Sequence, residues 1–319
     1  MLEATRDGLG KGLIELAKRE PRVVVLSADL TKSLRLTEFE KLFPDRFIQV
    51  GIAEQHMISM AAGLAMAGKI PFACSYAAFS PGRTWDQIRV SVCYSKLPVK
   101  IIGGHTGLSV GENGAVHQAM EDIALASVLP EMTVISPGDA LETAEAVIAA
   151  AELSGPVYIR VSKQPSAALP TNRPSFKLGQ VYQLKSGDAV ALMTHGTMIS
   201  TTIAAAQALQ EQGIHASVTV VPTLKPLDAQ AIIHVARHAR LLVTIEEHQI
   251  TGGLGSLIAP ILLEANRKHL PQLPQLQRIG MQDAFGESGT PNSLLEKYQL
   301  IPQVITQQII TRLWEMEYS

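Results

Sequence analysis

Strand-length apolar runs alternate with helix-like segments along most of the chain, and this alternation limits the possible folds more than any other feature. Continuously apolar strands separated by helices form parallel sheets, which the helices cover on both faces. In the first half, strands are predicted at residues 23–26, 48–52, 71–75, 99–103, 132–135 and 156–161. Helices are predicted there at residues 4–19, 36–43, 57–68, 83–96, 118–128 and 140–152.

A polar stretch without apolar periodicity interrupts the alternation, and its prolines at 165, 170 and 174 are typical of a linker. A second series follows, with strands predicted at residues 189–194, 216–221, 240–245 and 277–281 and helices at 199–212, 228–238, 253–266 and 303–315. The sequence therefore predicts an α/β protein with two doubly wound domains, at residues 1–165 and 181–319, and a linker at residues 166–180.

The composition indicates a globular protein and excludes several classes of function. The chain has 319 residues, 46% of them apolar, and a formal net charge of -2, so it is long enough for two cores. There is no basic excess that would indicate nucleic-acid binding. The apolar runs are too short to span a membrane, and the N-terminus lacks the apolar core of a signal peptide. We therefore expect a cytoplasmic protein.

The cysteine content argues against disulfides and structural metal. Cys74 and Cys93 are the only cysteines, too few for a disulfide framework or a zinc cluster. Both lie in apolar segments, where a free cysteine usually serves as a small buried hydrophobe. We expect no metal site in this chain.

One carboxylate, Glu54, stands at a predicted junction between a strand and a helix. Residues 50–52 are interpreted as the end of a buried strand, and Gly51 permits a tight turn. The following helix has almost no side-chain bulk, so we expect it to pack close to another backbone. In apolar surroundings desolvation would raise the pKa of the Glu54 carboxyl, which could then donate a proton at neutral pH. A lone glutamate here would more often complement the helix dipole.

The loops that follow the predicted strands of the first half are unusually polar. Ligands of open α/β sheets bind beyond the carboxyl ends of the strands. The loops at this edge are residues 27–33, 76–79, 103–117 and 162–164. Each has an ordinary explanation, because glycines form turns, aromatic residues fill cores and histidines bond at surfaces. Together, one carboxylate, two aromatic residues and two histidines at one sheet edge favour a ligand site.

Five short runs, at residues 4–6, 27–30, 51–54, 111–118 and 162–164, stand in an order and spacing that resembles the C-terminal half of transketolase. That half carries the pyrimidine-binding and C-terminal domains, and the resemblance covers essentially the full chain. It implies an enzyme that uses thiamine diphosphate to transfer a two-carbon ketol unit between sugar phosphates.

The resemblance assigns four residues to the cofactor. It implies that Glu54 gives or shares a proton with the ring nitrogen N1′ of the aminopyrimidine. Tyr76 and Phe79 correspond to aromatic residues that pack against this ring, and stacking would hold it and keep water out. Asp29 lies in one of the matching runs and is expected to contact the cofactor.

The resemblance assigns the remaining site residues to the substrate. His117 would face the C1 hydroxyl and carbonyl end of the sugar and could shuttle protons near neutral pH. Asn113 stands where the family usually has an aspartate that contacts the C2 hydroxyl, which leaves the stereoselectivity open. The positions that would bind the distal phosphate are Arg6, Ser33, His105 and Lys163, the last of these standing where many members have arginine.

One family motif is missing from the sequence. Full-length transketolases carry Gly-Asp-Gly and a later asparagine, which bind Mg²⁺ and the diphosphate, and no Gly-Asp-Gly occurs among the 319 residues. We therefore expect a separate N-terminal, diphosphate-binding subunit that carries the Mg²⁺ ligands, and an α2β2 heterotetramer. The start of the chain just before a helix favours a separate subunit over a piece of a longer chain.

Three different readings of the same residues stay open. The β subunit of a 2-oxo acid dehydrogenase E1 shares the layout and a matching glutamate, but the 111–118 run resembles transketolase more closely. A 1-deoxyxylulose phosphate synthase is nearer, because residues 246–248 and 252–256 resemble that enzyme as well. An inactive assembly or regulatory subunit is disfavoured by the joint presence of Glu54, His105 and His117. The sequence leaves the ketose donor, the aldose acceptor and the identity of the partner undetermined.

Overall fold

The structure is a computed structural model that describes residues 2–265 and 267–318. Its strands are β1 (Glu3–Ala4), β2 (Val23–Ser27), β3 (Phe47–Gln49), β4 (Ile70–Tyr76), β5 (Lys100–Gly104), β6 (Thr133–Ile135), β7 (Val157–Arg160), β8 (Pro165–Ser166), β9 (Tyr182–Lys185), β10 (Val190–Thr194), β11 (Ala216–Val220), β12 (Thr223–Lys225), β13 (Leu241–Gln249) and β14 (Gln275–Met281).

The α-helices are α1 (Thr5–Arg19), α2 (Thr37–Leu42), α3 (Glu54–Met66), α4 (Trp85–Gln87), α5 (Asp122–Ser127), α6 (Ala140–Glu152), α7 (Met198–Glu211), α8 (Ala229–Arg237), α9 (Leu254–Glu264), α10 (Pro291–Lys297) and α11 (Pro302–Glu317). A π-helix, Ile88–Tyr94, continues α4, where a single α-helix over residues 83–96 was predicted. Short 3-10 helices occupy Pro44–Arg46, Leu108–Asn113 and Ala115–His117.

The first large sheet has the strand order β12-β6-β7-β5-β4-β2-β3, and its strands are parallel except β12. The chain moves outward from β2 to β3 and then returns to β4 on the other side of β2. A topological switch point therefore lies beyond the carboxyl ends of β2 and β4, and such a point is the usual place for a ligand crevice. The neighbouring strands β5 and β7 end at the same edge.

The second large sheet has the order β14-β13-β10-β11-β9, with only β9 antiparallel. The α/β prediction with two helix-covered sheets is thus confirmed. The sequence analysis missed β12, which belongs by chain position to the second half but pairs antiparallel with β6 of the first sheet. Lys225 at its end donates to the backbone carbonyls of Ser127 and Leu129.

One hydrophobic cluster joins the two halves. It contains side chains of the first sheet and of α3 together with Leu242 from β13 and Leu254 and Ile258 from α9. A second cluster lies on the other face of the first sheet, under α1 and α6. Because apolar side chains of both halves share one core, the second half can hold loops of the first in place.

The segment predicted as a linker, residues 166–180, packs against the first half. Leu169 donates its backbone N–H to Asp139 at 2.8 Å, and Phe176 donates its own to Glu145, also at 2.8 Å. Both apolar side chains are buried. Ser166 belongs to β8, whose two residues pair with β1 at the start of the chain. The segment is therefore anchored along α6 rather than free.

The strand before Glu54 differs from the prediction. β3 is a partly exposed edge strand that ends at Gln49, whereas a buried strand was predicted to run through Ile52. Ile52 is 77% exposed. An apolar run at a sheet edge has the composition of a buried strand, so the two cannot be distinguished by pattern alone.

The close backbone contact expected of α3 is made by another helix. Gly8 and Gly12 of α1 face Ala140 and Ala144 of α6, and a Cβ atom on Gly8 would overlap the Ala140 carbonyl group. Gly63 of α3, by contrast, would place its Cβ within 4 Å of nothing in the described part of the chain. Ala61, Ala62 and Ala65 of α3 are buried in the core, whereas the surface of the helix around Gly63 is open to another molecule.

Cys74 and Cys93 are buried free thiols, as predicted. Within residues 2–265 and 267–318, no helix is long and apolar enough to cross a membrane. The same residues contain no cluster of three or more His, Cys, Asp or Glu side chains arranged to hold a metal ion.

The two glycine environments predict opposite effects of alanine. Gly8→Ala should destabilise the chain by about 1–3 kcal/mol, because the methyl group overpacks the contact between α1 and α6. Gly63→Ala, the matched control, should stabilise the isolated chain by roughly 0.5–1 kcal/mol, because alanine loses less backbone entropy in a helix. Urea unfolding of both variants measures the difference, and effects of the same sign would contradict the packing described here.

Candidate active site

Glu54 is the first residue of α3, and the chain enters this helix through a turn at Gly51. Gly51 has φ +69°, a left-handed conformation that glycine adopts without strain. Glu54 is only 2% exposed, which agrees with the predicted buried carboxylate. Its surroundings are not wholly apolar, however, because Arg83 Nη1 donates to Glu54 Oε2 at 3.0 Å. The sequence analysis missed this partner, which lies 29 residues further along the chain.

Two aromatic side chains lie beside this ion pair. Tyr76 is the last residue of β4 and Phe79 follows in the turn, and their rings stack with centroids 6.0 Å apart. The Arg83 guanidinium lies over the Phe79 ring, 4.8 Å from its centroid. The carboxylate, the guanidinium and the two rings therefore form one continuous set of contacts.

The two histidines join the aromatic pair from the loop after β5. The His105 ring centroid is 3.9 Å from that of Tyr76, and the His117 centroid is 5.4 Å from that of Phe79. His105 has φ +54°, which is uncommon for a residue other than glycine and is tolerated where the surroundings fix the backbone. The sequence-predicted carboxylate, aromatic residues and histidines are thus brought together at one sheet edge.

The electrostatics around His105 favour an anion. Burial, followed by the charges of Arg6, Lys163 and His117, lowers the pKa of His105 to about 3. The imidazole is therefore neutral at physiological pH, and its buried Nδ1 atom has no hydrogen-bond partner among the described residues. An anionic group bound between these side chains would offset the repulsion and raise the pKa of His105.

Arg6 and Lys163 approach His105 from separate elements. Arg6, in the first turn of α1, donates from Nη1 to the backbone carbonyl of Ser33 at 2.9 Å. Lys163 follows β7 and donates to Asn113 Oδ1 at 3.3 Å. Since this bond uses the amide oxygen of Asn113, its NH₂ group is the part left to donate to a ligand. Ser33 and Asn113 therefore lie beside the two cations.

Asp29 lies on the β2 and β3 side of the same edge. It is exposed, has φ +59°, and donates its backbone N–H to the side chain of Gln49 at 2.8 Å. Its position follows β2, at the switch point, so it borders the crevice on the side away from the histidines.

A carboxylate from the second half supports the histidine loop. Glu247 of β13 is buried, and its side-chain oxygens accept from the backbone N–H of Ser109 and from the Thr197 hydroxyl, the latter at 2.9 Å. Gly107 of the loop packs directly on this carboxylate, since a Cβ atom there would overlap the Glu247 carboxyl group.

Gln118 adds a second bond between the loop and the second half, donating to the carbonyl of Glu287 at 2.9 Å. The sequence analysis noted the 246–248 run without a role. The 246–248 run was the only sequence signal for Glu247. Its contact with the histidine loop could not be predicted, because that contact depends on how the two halves of the chain pack. The loop that carries both histidines is thus anchored from behind by the second half.

This support predicts a local effect of Glu247→Ala. Loss of a hydrogen bond to a charged group costs about 1.5–3 kcal/mol, so amide hydrogen exchange at residues 107–114 should accelerate roughly tenfold to a hundredfold. In Glu247→Gln the same amides should exchange much more slowly than in Glu247→Ala, because the glutamine side chain can accept from Ser109 and donate to Thr197. Thr197→Val is the matched control, since it leaves the Ser109 bond intact. Wild-type exchange rates in Glu247→Ala would contradict the proposed support.

Comparisons with known proteins identify the family of the chain. Residues 3–167 match the family model described as transketolase, pyrimidine binding domain, and residues 179–305 match that described as transketolase, C-terminal domain. A Methanocaldococcus jannaschii protein named "Putative transketolase C-terminal section" is 40% identical over 309 residues, which are 96% of this chain and 95% of that protein.

A solved structure described as split gene transketolase, inactive beta4 tetramer, is 42% identical, has a TM-score of 0.88 and aligns over 97% of both chains. A 1-deoxy-D-xylulose-5-phosphate synthase of Caldanaerobacter subterraneus is 38% identical over 98% of this chain, but the chain spans only 49% of that enzyme. The chain belongs to the transketolase family and contains its pyrimidine-binding and C-terminal domains.

Proposed function

We propose that this chain is the C-terminal subunit of a thiamine diphosphate-dependent transketolase. It acts with a separate diphosphate-binding subunit and transfers a two-carbon ketol unit from a ketose phosphate to an aldose phosphate. The observation that carries the proposal is the buried Glu54 carboxylate beside an aromatic pair and two histidines at one sheet edge. The proposal places the pyrimidine-binding domain at residues 1–165 and the C-terminal domain at residues 181–319.

The residues present fit the aminopyrimidine end of this cofactor. A carboxylate can bind a ring nitrogen, and flat aromatic surfaces suit a planar ring. Buried polar atoms without partners among the described residues, the Ser75 hydroxyl and the Nδ1 atoms of His105 and His117, lie in the same region. Glu54, Tyr76 and Phe79 would hold the ring, with Asp29 at the border of the crevice. Thiamine diphosphate, when bound, supplies a carbanion and an electron sink.

Glu54 has the central role in this mechanism. Its carboxyl group holds or moves a proton at N1′ of the aminopyrimidine, and its burial keeps competing water away from that proton. Tyr76 and Phe79 orient the ring and exclude water from its face. His117, which contacts the Phe79 ring edge, moves protons at the hydroxyl and carbonyl oxygens of the sugar.

The cationic end of the site orients the sugar. Arg6 and Lys163 flank a neutral His105, so this end presents positive charge and an uncharged imidazole to the distal phosphate of the substrate. His105 can donate a hydrogen bond to a phosphate oxygen, and Ser33 lies beside Arg6. Asn113, held by Lys163, would donate from its amide to a sugar hydroxyl, whereas an aspartate could only accept.

The open face of α3 supports a partner subunit. Ile52, just before the helix, is 77% exposed, Met66 at its end is 78% exposed, and Gly63 lies open between them. A partner that packed on this part of α3 would bury both apolar side chains, which is favourable. The partner would contribute the Mg²⁺ and diphosphate ligands, and two such pairs would form an α2β2 heterotetramer.

A second candidate is a 1-deoxyxylulose phosphate synthase-like reaction, which the 38% identity to such an enzyme favours. An E1 β subunit of a 2-oxo acid dehydrogenase and an inactive assembly subunit are the remaining alternatives, and the 42% identical structure described as an inactive beta4 tetramer bears on the second of them. The donor distinguishes the enzymes, because a synthase or a dehydrogenase of these kinds consumes a 2-oxo acid and a transketolase consumes a ketose phosphate.

The donor test uses the chain combined with its diphosphate-binding subunit, thiamine diphosphate and Mg²⁺. We expect turnover with a ketose phosphate and an aldose phosphate, and no consumption of pyruvate. Pyruvate-dependent product would establish the second candidate instead. A complex that binds the cofactor but consumes neither donor would support the inactive subunit.

Glu54→Gln should preserve the fold and the complex but lower turnover by ~10²–10⁴, because an amide cannot exchange a proton with N1′. The measurement is the exchange rate of the C2 hydrogen of the bound cofactor, followed by NMR. Glu38→Gln on α2, which removes an exposed carboxylate, is the control and should exchange like the wild type. Normal exchange in Glu54→Gln would remove this residue from its central role.

A further inference from the structure

The guanidinium of Arg83 makes two contacts at once. It donates to the Glu54 carboxylate at 3.0 Å and lies 4.8 Å from the centroid of the Phe79 ring. A guanidinium is planar, carries hydrogen-bond donors along its edge and stacks on aromatic faces. Arg83 thus places a flat, donating group on the aromatic surface with its edge on the carboxylate.

The aminopyrimidine ring of the cofactor would need the same two contacts. That ring is also planar, would stack on the aromatic pair and would direct a ring nitrogen at Glu54. If the cofactor ring stacks on the Phe79 face that Arg83 covers and bonds to the same Glu54 oxygen, the two groups cannot bind together. The cofactor ring and the Arg83 guanidinium are then competitors for one place.

The burial of Glu54 explains why its carboxylate needs a charged partner such as Arg83. A carboxylate that is 2% exposed loses nearly all its hydration, and a buried charge without a partner is costly. Arg83 supplies the missing charge. Its own side chain is 50% exposed, so it can turn outward into water at little cost in packing.

We propose that Arg83 is a placeholder for the cofactor's aminopyrimidine ring. In the cofactor-free chain its guanidinium neutralises Glu54 and covers Phe79, and cofactor binding displaces it toward solvent. Arg83 is thus a positioning residue that keeps the buried carboxylate in place before the cofactor arrives. This inference rests on the proposed function, since it assumes that an aminopyrimidine binds at Glu54.

A side chain that occupies the place of the cofactor ring lowers the apparent affinity of the protein for the cofactor. If the guanidinium occupies the place in about 90% of the molecules, the cofactor's Kd is raised roughly tenfold. Arg83→Met removes the charge and keeps an unbranched apolar side chain. It should therefore tighten thiamine diphosphate binding by roughly the same factor. A residue that merely supports the local structure would weaken binding when replaced.

The binding experiment titrates thiamine diphosphate, with Mg²⁺, into the complex of this chain and its diphosphate-binding subunit, by calorimetry. Arg83→Met should bind more tightly than the wild type, and Arg83→Lys, which keeps the charge without the flat stack, should lie between them. Arg89→Met is the matched control, because this arginine lies beside Cys93 and Tyr94 in a separate cavity. Unchanged or weaker binding by Arg83→Met would overturn the proposal.

A second experiment tests the ion pair without any cofactor. Urea unfolding of the isolated chain should show that Arg83→Met is destabilising in the wild type but nearly neutral in the Glu54→Gln background, because the charge it compensates is then absent. Equal effects in both backgrounds would overturn the proposal, since the pair would not be formed.

The two experiments separate this inference from the proposed function. If the wild-type complex takes up no thiamine diphosphate while the unfolding cycle shows coupling, the proposed function fails and the placeholder role falls with it, but the ion pair stands. If the wild type binds the cofactor and Arg83→Met binds no more tightly, only the placeholder role is wrong.

Discussion

The parallel pairing of β2, β4, β5 and β7 is the constraint on which the site depends. Parallel strands point their carboxyl ends the same way, so the four loops that follow them meet at one edge. The strand order reverses beside β2, which is the usual place for a ligand crevice, and Glu54 follows β3 at this edge. Residues that are far apart in the chain, such as Arg6 and Lys163, therefore act on the same imidazole.

The two ends of the crevice differ in charge, and this difference matches a division of labour. At one end the buried Glu54 carboxylate has a cationic partner and lies beside two aromatic rings, an arrangement that suits a planar ring that exchanges a proton. At the other end two cations flank a neutral histidine, which suits an anionic group of a sugar. The second half of the chain contributes indirectly, because Glu247 holds the loop that carries His105 and His117.

The sequence predicted the helix-covered parallel sheets and the grouping of the candidate site residues at one sheet edge, because continuous apolar strands and polar loops after them are local signals. It missed β1, β8, β9 and β12, short strands that form only through tertiary pairing. It also missed α10, although Thr290 as N-cap and Pro291 after it form a recognisable start. The partnership of Glu54 with Arg83 could not be predicted, since neither spacing nor periodicity links a helix start to a distant turn.

We propose that Glu54 and Phe79 together bind the aminopyrimidine ring. The most direct measurement is a crystal structure of the chain in complex with its diphosphate-binding subunit, thiamine diphosphate and Mg²⁺. The ring should lie on the Phe79 face, with its nitrogen bonded to Glu54 and with Arg83 turned toward solvent. A bound cofactor whose ring lies elsewhere, with Arg83 still on the carboxylate, would contradict this proposal.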